Sequence, residues 1–133
     1  MNWFTLILMA LLVPFVASSQ TEAQYSDYIQ SLIGGEREVS FPSGRVDLMT
    51  KDYAFEIERA AKWKDSIGQS LWYALNANRK PGIILLLRSE SEFKYAQQLN
   101  SALQYAGLDS LIVVYIYSKD FQNLIDERRA KTK

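Results

Sequence analysis

The chain has 133 residues with 15 basic and 15 acidic side chains, so its formal net charge is zero. This balance does not indicate a strongly basic nucleic-acid binder, although it leaves room for a local basic patch. Because the sequence contains no cysteine and no histidine, thiol and serine–histidine catalysis are excluded, and any acid–base or metal chemistry must use Asp, Glu, Lys, Tyr or backbone oxygen.

The first residues have the composition of an export signal. Residues 4–17 are an uncharged apolar run of signal-peptide length, too short to span a bilayer comfortably, and small residues follow at Ala17, Ser18 and Ser19. We therefore expect residues 1–19 to be a signal peptide and residues 20–133 to be a single domain that is exported, either periplasmic or secreted. No Lys or Arg precedes the run, which leaves an uncleaved N-terminal membrane anchor as the alternative.

Helices and short strands alternate along the rest of the chain. In order, hydrophobic periodicity and turn residues predict a helix over 25–33, strands over 38–41, 45–49 and 53–57, a helix over 62–78, a strand over 83–87, a helix from Ser89 to 105, a strand over 111–117 and a helix over 118–129. The first three strands form a meander, and two apolar strands that are each reached through a helix pair in parallel. The sequence thus predicts an α/β fold with a mixed central sheet flanked by helices.

Acidic residues alternate with apolar residues along the meander. Side chains point to alternate faces of a strand, so aligning the apolar sets gathers four carboxylates on the opposite face: Glu38, Asp47, Glu56 and Glu58. Two like charges about 4 Å apart repel by about 4 kcal/mol at an effective dielectric constant near 20. Protonation or a divalent cation such as Mg²⁺ or Mn²⁺ relieves this repulsion. The alternative is a solvated face on which nearby cations pair with the acids: Arg45, Lys51 and Arg59.

The helix after the third strand carries polar residues along one side. Lys62, Ser66 and Gln69 are spaced at i, i+4 and i+7, which places them on one stripe. The apolar pattern predicts a different, buried side: Ile67, Leu71, Trp72 and Leu75. Because this helix follows directly from the acidic strand, we expect it to bring an ammonium and an amide group to the carboxylates.

At these residues the chain resembles the PD-(D/E)XK nuclease superfamily, which has the restriction-endonuclease-like fold. The matching segments are GRVDL with Asp47, YAFEIE with Glu56, and KWKDSIGQSLWYA with Lys62 and Gln69. The resemblance covers residues 25–117 and includes the order of the elements. It implies a metal-dependent nuclease that hydrolyses phosphodiester bonds of DNA or RNA.

The resemblance also implies a role for each matched residue. Asp47 and Glu56 would ligate Mg²⁺ (or Mn²⁺), with the backbone carbonyl of Ile57 as a third ligand, and the metal would lower the pKa of bound water. Glu38 resembles the accessory acid of some members. Gln69 resembles a helix glutamine that orients the site or contacts the phosphate backbone.

One position departs from the superfamily pattern. Glu58 stands where members usually carry a lysine that orients the attacking water and stabilises anionic charge, work that a carboxylate does not do. Lys62 is expected to supply this ammonium from the helix. The departure leaves a second hypothesis, a catalytically degenerate nuclease fold that binds nucleic acid or a protein partner. A third is an envelope-associated structural protein without chemistry.

Overall fold

The computed structural model describes residues 22–118 of the chain. The helices are α1 (Glu22–Ile33), α2 (Trp63–Ala77) and α3 (Phe93–Ala106), and the strands are β1 (Glu36–Phe41), β2 (Gly44–Met49), β3 (Tyr53–Arg59), β4 (Lys80–Leu87) and β5 (Val113–Ser118). Short 3₁₀ turns, Ala60–Lys62 and Glu90–Glu92, lead into α2 and α3. Among the helices of residues 22–118, none has the length and apolar character needed to cross a membrane.

The five strands form one mixed sheet in the order β1-β2-β3-β4-β5. β1, β2 and β3 pair antiparallel through short turns. β4 and β5 each return in parallel, after α2 and α3 respectively. The predicted α/β fold, a meander followed by two helix-connected strands, is confirmed.

Helices lie on both faces of the sheet. On one face, Tyr25 and Ile29 of α1 pack over a cluster from the central strands: Leu48, Phe55, Ile57, Ile84 and Leu86. On the other face, α2 and α3 pack over the alternate residues of β4 and their neighbours: Ile83, Leu85, Leu87 and Ile112. Residues 81–87 of β4 are all buried, as expected of a parallel strand that is covered on both sides.

α2 meets the sheet through small side chains. Its buried residues follow one side of the helix: Ser66, Ser70, Ala74 and Ala77. Ser66 is fully buried rather than part of a polar stripe, while Trp72 and Leu75 are 50% and 73% exposed. The predicted burial of Trp72 and Leu75 was therefore wrong, because the helix lies so close to the sheet that serine and alanine fill the contact. Ile67 and Leu71 do pack against the core, on the side next to α3.

Each of the five strands differs from its predicted range at one end or both, and several predicted segments fall outside the described residues. β4 begins at Lys80 and includes Pro81, which pairs with β3 alone because β5 starts opposite Gly82; a position with one neighbouring strand tolerates proline. β5 begins at Val113 rather than at residue 111. The signal peptide predicted over 1–19 and nearly all of the helix predicted over 118–129 lie outside residues 22–118, as do the ends of the predicted domain.

Candidate functional site

The strand β2 changes direction at Asp47. Val46 packs in a cluster with Ala74 of α2, whereas Leu48 packs in the cluster beneath α1, although residues two apart on a regular strand share one face. In the register between β1 and β2, Glu38 lies opposite Asp47, between the pairs Arg37↔Leu48 and Val39↔Val46. Glu38 has a φ of 57°, a left-handed conformation that disrupts a regular strand. The break at this point sets the direction of Asp47.

Asp47 takes over a main-chain hydrogen bond where β2 and β3 separate. The two strands pair at Leu48↔Phe55 and Met49↔Ala54, and the same register places Asp47 opposite Glu56. The N–H of Ile57 then donates to Oδ2 of Asp47 at 2.8 Å. Because the N–H and C=O of one residue in a strand point to the same edge, the Ile57 carbonyl also faces the gap between β2 and β3.

Asp47 and Glu56 form a buried carboxyl pair. Glu56 is 7% exposed, and burial together with the charge of Asp47 and a hydrogen bond to it raises the pKa of Glu56 to about 9. Burial also raises the pKa of Asp47, while the Ile57 N–H and Glu56 act in the opposite direction. At neutral pH Glu56 therefore keeps its proton and donates a hydrogen bond to Asp47, so that the Asp47–Glu56 pair carries at most one negative charge.

Glu58 and Lys62 lie beside this pair as a second acidic and basic couple. Burial, and to a smaller degree the charge of Glu22, raise the pKa of Glu58. The N–H of Arg59, which donates to its Oε1 at 2.9 Å, and the positive charge of Lys62 act in the opposite direction. Lys62 is exposed at the end of the 3₁₀ turn that leads into α2. The structure thus brings Lys62 to Glu58, and it is Glu58, rather than the Asp47–Glu56 pair, whose pKa shows the effect of Lys62.

Gln69 and Tyr73 extend the polar side of α2 beyond Lys62. Gln69 and Tyr73 are four positions apart, which places them along the same side of the helix, and Lys62 directly precedes the helix; we call this set, Lys62, Gln69 and Tyr73, the donor edge. Gln69 is exposed. Burial and the negative charges of Glu56 and Asp47 raise the pKa of Tyr73, so its hydroxyl lies near the acidic pair.

Tyr73 is a site residue that the sequence interpretation missed, since an aromatic residue on this helix was assigned to packing. Its ring does pack, against Gly44 at the start of β2, where an added Cβ would lie 2.5 Å from the Tyr73 Cε1. The ring therefore holds the hydroxyl in place between the turn and the acids. The signal available in the sequence was the spacing of four residues from Gln69.

Glu38 lies apart from the other acids. It is exposed, and its Oε1 is 3.8 Å from a terminal nitrogen of Arg45 and 3.8 Å from one of Arg37. Arg37 also pairs with Asp27 of α1. The left-handed backbone at Glu38 turns its side chain toward these arginines, so the structure brings Asp47, Glu56 and Glu58 to one region and places Glu38 in a separate ion-pair group.

The Asp47–Glu56 pair has donor chemistry that suits a hard cation. Two carboxyl groups, and the Ile57 carbonyl at the same gap, offer oxygen alone, and Mg²⁺ is commonly held by one or two carboxylates together with water and phosphate oxygens. In the part of the chain that the structure describes, no group of three or more Asp, Glu, His or Cys side chains is arranged to hold a metal ion. A cation held by Asp47 and Glu56 would need water or substrate oxygens to complete its shell.

Comparison with known proteins identifies viral relatives. The chain is 41% identical over 58 residues, 44% of its length, to a KilA-N domain-containing protein of Acanthamoeba polyphaga mimivirus. It is 36% identical over 101 residues, 76% of its length, to another such protein of the same virus. No family model and no solved structure matches the chain. The chain spans 24% and 27% of the lengths of these two relatives, so it is similar to about a quarter of each.

Proposed function

We propose that this chain is a nucleic-acid-binding domain in which the donor edge and the Asp47–Glu56 pair face the phosphate backbone. The observation that carries the proposal is the position of the Tyr73 hydroxyl, close enough to Asp47 and Glu56 for their charges to raise its pKa. It supports a common surface formed by one side of α2 and the open end of the β2–β3 ladder.

The donor edge offers the groups that phosphate oxygens accept. Lys62 supplies an ammonium, Gln69 an amide N–H and Tyr73 a hydroxyl, and such side chains make most protein contacts to nucleic-acid backbones. Arg45 adds positive charge from β2, where it acts on both Asp47 and Tyr73. These donors reach a backbone without reading its sequence.

The shared proton makes the acidic pair compatible with a phosphate. Two ionised carboxylates would repel an anionic backbone, but the raised pKa of Glu56 leaves at most one negative charge on the pair at neutral pH. The protonated carboxyl group is also a hydrogen-bond donor. The pair then contributes less repulsion than its two acids suggest.

The viral relatives support a nucleic-acid context. Both are named for a KilA-N domain, which suggests a DNA-binding module in those proteins. Because this chain spans about a quarter of each relative, the association with DNA is part of the proposal for this chain.

Fluorescence anisotropy with labelled single- and double-stranded DNA and RNA tests the proposal. We expect binding that weakens in Gln69→Ala and Lys62→Ala, with a smaller salt dependence for Lys62→Ala because one phosphate contact is lost. The matched controls are Gln97→Ala and Lys94→Ala, which remove exposed side chains of the same types from α3. Equal affinity of all four variants and the wild type would show that the donor edge does not contact the nucleic acid.

A second candidate function, phosphodiester hydrolysis, is favoured by the meeting of Asp47, Glu56 and the Ile57 carbonyl at one gap. These residues would hold Mg²⁺ or Mn²⁺, which would supply Lewis-acid stabilisation of the scissile phosphate. Gln69 would orient the backbone, and Lys62 would supply the positive charge that Glu58 cannot provide. We rank binding above hydrolysis because Glu58 occupies the position at which members of the nuclease superfamily usually carry a lysine.

Incubation of each nucleic acid with and without Mg²⁺ or Mn²⁺ separates the two functions. Hydrolysis predicts metal-dependent cleavage that is lost in Asp47→Asn and reduced in Lys62→Ala, with binding retained in Asp47→Asn. Binding without turnover predicts intact substrate in every lane, while anisotropy still reports a complex. Cleavage that survives in Asp47→Asn would point to a contaminating nuclease.

A further inference from the structure

The face of the sheet beneath α1 carries a row of aromatic rings at the end far from the acidic pair. Tyr53 and Phe55 lie on β3, opposite Lys80 and Gly82 of β4, and Tyr115 lies on β5, opposite Ile84 of β4. Alternation along the strands places these residues on one face. We call Tyr53, Phe55 and Tyr115 the aromatic strip.

The rings of the aromatic strip form a continuous column. Tyr53 stacks on Phe55 with centroids 5.3 Å apart and an interplanar angle of 22°, and Phe55 meets Tyr115 at 5.7 Å and 37°. Gly82 makes this possible: a Cβ at that position would lie 2.4 Å from the Phe55 ring. The missing side chain lets Phe55 lean across β4 to reach the ring from β5.

The outer end of the column is open to solvent. Tyr115 is 49% exposed, whereas Phe55 is 2% exposed beneath its neighbours. α1 is the helix on this face among residues 22–118, and its ring contacts go to Tyr117 at the other end of β5, from Tyr25 and Tyr28. About half of the Tyr115 surface is therefore open to solvent at the outer end of the column.

Positive charge lies at the inner end of the same strip. The Lys80 ammonium is 6.0 Å from the centroid of the Tyr53 ring. Lys51, in the turn before β3, is also exposed. Lys80 and Tyr53 also line a shallow hollow that runs to Asp109 and Val113 at the start of β5. A cation beside stacked aromatics suits a ligand that has both flat rings and anionic groups.

We propose that the aromatic strip is a stacking platform for single-stranded nucleic acid, with a base on Tyr115 and a phosphate further along the same strand near Lys80. Aromatic side chains on a sheet face and a neighbouring cation are the features by which proteins hold unpaired bases without sequence preference. The inference rests on the proposed nucleic-acid function, but it concerns a different surface, on the opposite face of the sheet from the donor edge. It adds a preference for single strands, since paired bases in a duplex have no free face.

Anisotropy with matched single- and double-stranded oligonucleotides of DNA and of RNA tests this inference. Tyr115→Leu keeps apolar packing against Phe55 and removes the aromatic face, so we expect single-strand affinity to fall about 5- to 150-fold and duplex affinity to stay unchanged. Tyr115→Trp should retain or improve single-strand binding. Lys80→Ala should reduce the slope of log affinity against log salt by about 0.7 on single strands. Tyr105→Leu is the control, because Tyr105 is 96% exposed on α3.

The outcomes separate this inference from the function on which it rests. Duplex binding that depends on the donor edge, together with unchanged single-strand affinity in Tyr115→Leu, would contradict the stacking role of the aromatic strip and leave the proposed function intact. Equal losses for single strands and duplexes in that variant also overturn the stacking role, as does a lower melting temperature with no change in affinity, which would mean that the ring serves packing. A wild-type chain that binds no nucleic acid overturns both proposals.

Discussion

The main-chain N–H of Ile57 donates to Oδ2 of Asp47 at 2.8 Å, so a side chain of β2 replaces the strand partner that β3 lacks at that point. The Asp47 carboxylate therefore satisfies a main-chain donor of β3 and also belongs to the candidate site. It keeps the ladder open while leaving no unpaired donor, and the opening is where the polar groups of the candidate site meet.

Asp47→Ala should therefore destabilise the fold. The Ile57 N–H loses its acceptor in a half-buried position, and a buried unpaired donor costs about 1–3 kcal/mol. Asp47→Asn keeps an oxygen in place and should cost less. Urea unfolding monitored by circular dichroism measures both. Equal stability of the alanine and asparagine variants would show that the hydrogen bond contributes nothing.

The raised pKa of Glu56 makes stability depend on pH. Its value is raised from 4.5 to about 9, so the folded chain holds a proton that the unfolded chain releases, and the stabilisation is present below 4.5 and lost as pH rises toward 9. The free energy of unfolding should fall by up to about 1.4 kcal/mol per pH unit in this window. Glu56→Gln, which mimics the protonated form, should flatten that slope. Parallel pH profiles of the two proteins would contradict the shared proton.

Glu38→Gly should stabilise the fold. A left-handed conformation costs a non-glycine residue about 1–2 kcal/mol, and the exposed ion pairs of Glu38 with Arg37 and Arg45, each at 3.8 Å, offset little of that cost. After the added entropy of glycine in the unfolded chain, we expect a gain of up to about 1 kcal/mol in chemical denaturation. Ser40→Gly on the same strand, where φ is not positive, should destabilise instead. A loss in Glu38→Gly would mean that its ion pairs outweigh the backbone strain.

Gly82→Ala should destabilise because the new methyl group would meet the Phe55 ring at 2.4 Å. Overpacking of this kind costs about 1–3 kcal/mol. Gly68→Ala is the matched control: no atom lies within 4 Å of its added Cβ, and alanine favours a helix interior by about 0.5–1 kcal/mol. Differential scanning calorimetry should show melting temperatures that move in opposite directions. A neutral Gly82→Ala would mean that Phe55 has other space available.

Mg²⁺ or Mn²⁺ should raise the melting temperature if the Asp47–Glu56 pair binds a cation, since a ligand of the folded state stabilises it. The metal must displace the proton on Glu56, so the shift should be larger at pH 9 than at pH 6. Asp47→Ala should abolish the shift, and Asp109→Ala, at an exposed position, should retain it. A shift that is insensitive to pH and to Asp47 would place the cation elsewhere.

Strand alternation was enough to predict the sheet and the register that places Asp47 opposite Glu56. It failed at Glu38, because parity assumes a regular strand and a single left-handed residue breaks it. Periodicity also failed on α2, where large apolar residues were expected in a contact that Ser66 and Ala74 occupy. Neither the proton on Glu56 nor the position of Tyr73 could be read from spacing, since both depend on burial and on a contact with the distant turn at Gly44.

The serine and alanine stripe of α2 sets the geometry of residues that it does not contain. The residues buried against the sheet are Ser66, Ser70, Ala74 and Ala77. Their small size sets the distance between the helix and the sheet. A bulkier residue at any of these positions would push the helix away from the sheet and move Gln69 and Tyr73 away from the carboxyl groups. The small buried residues of α2 therefore determine whether its polar side chains reach the carboxyl groups.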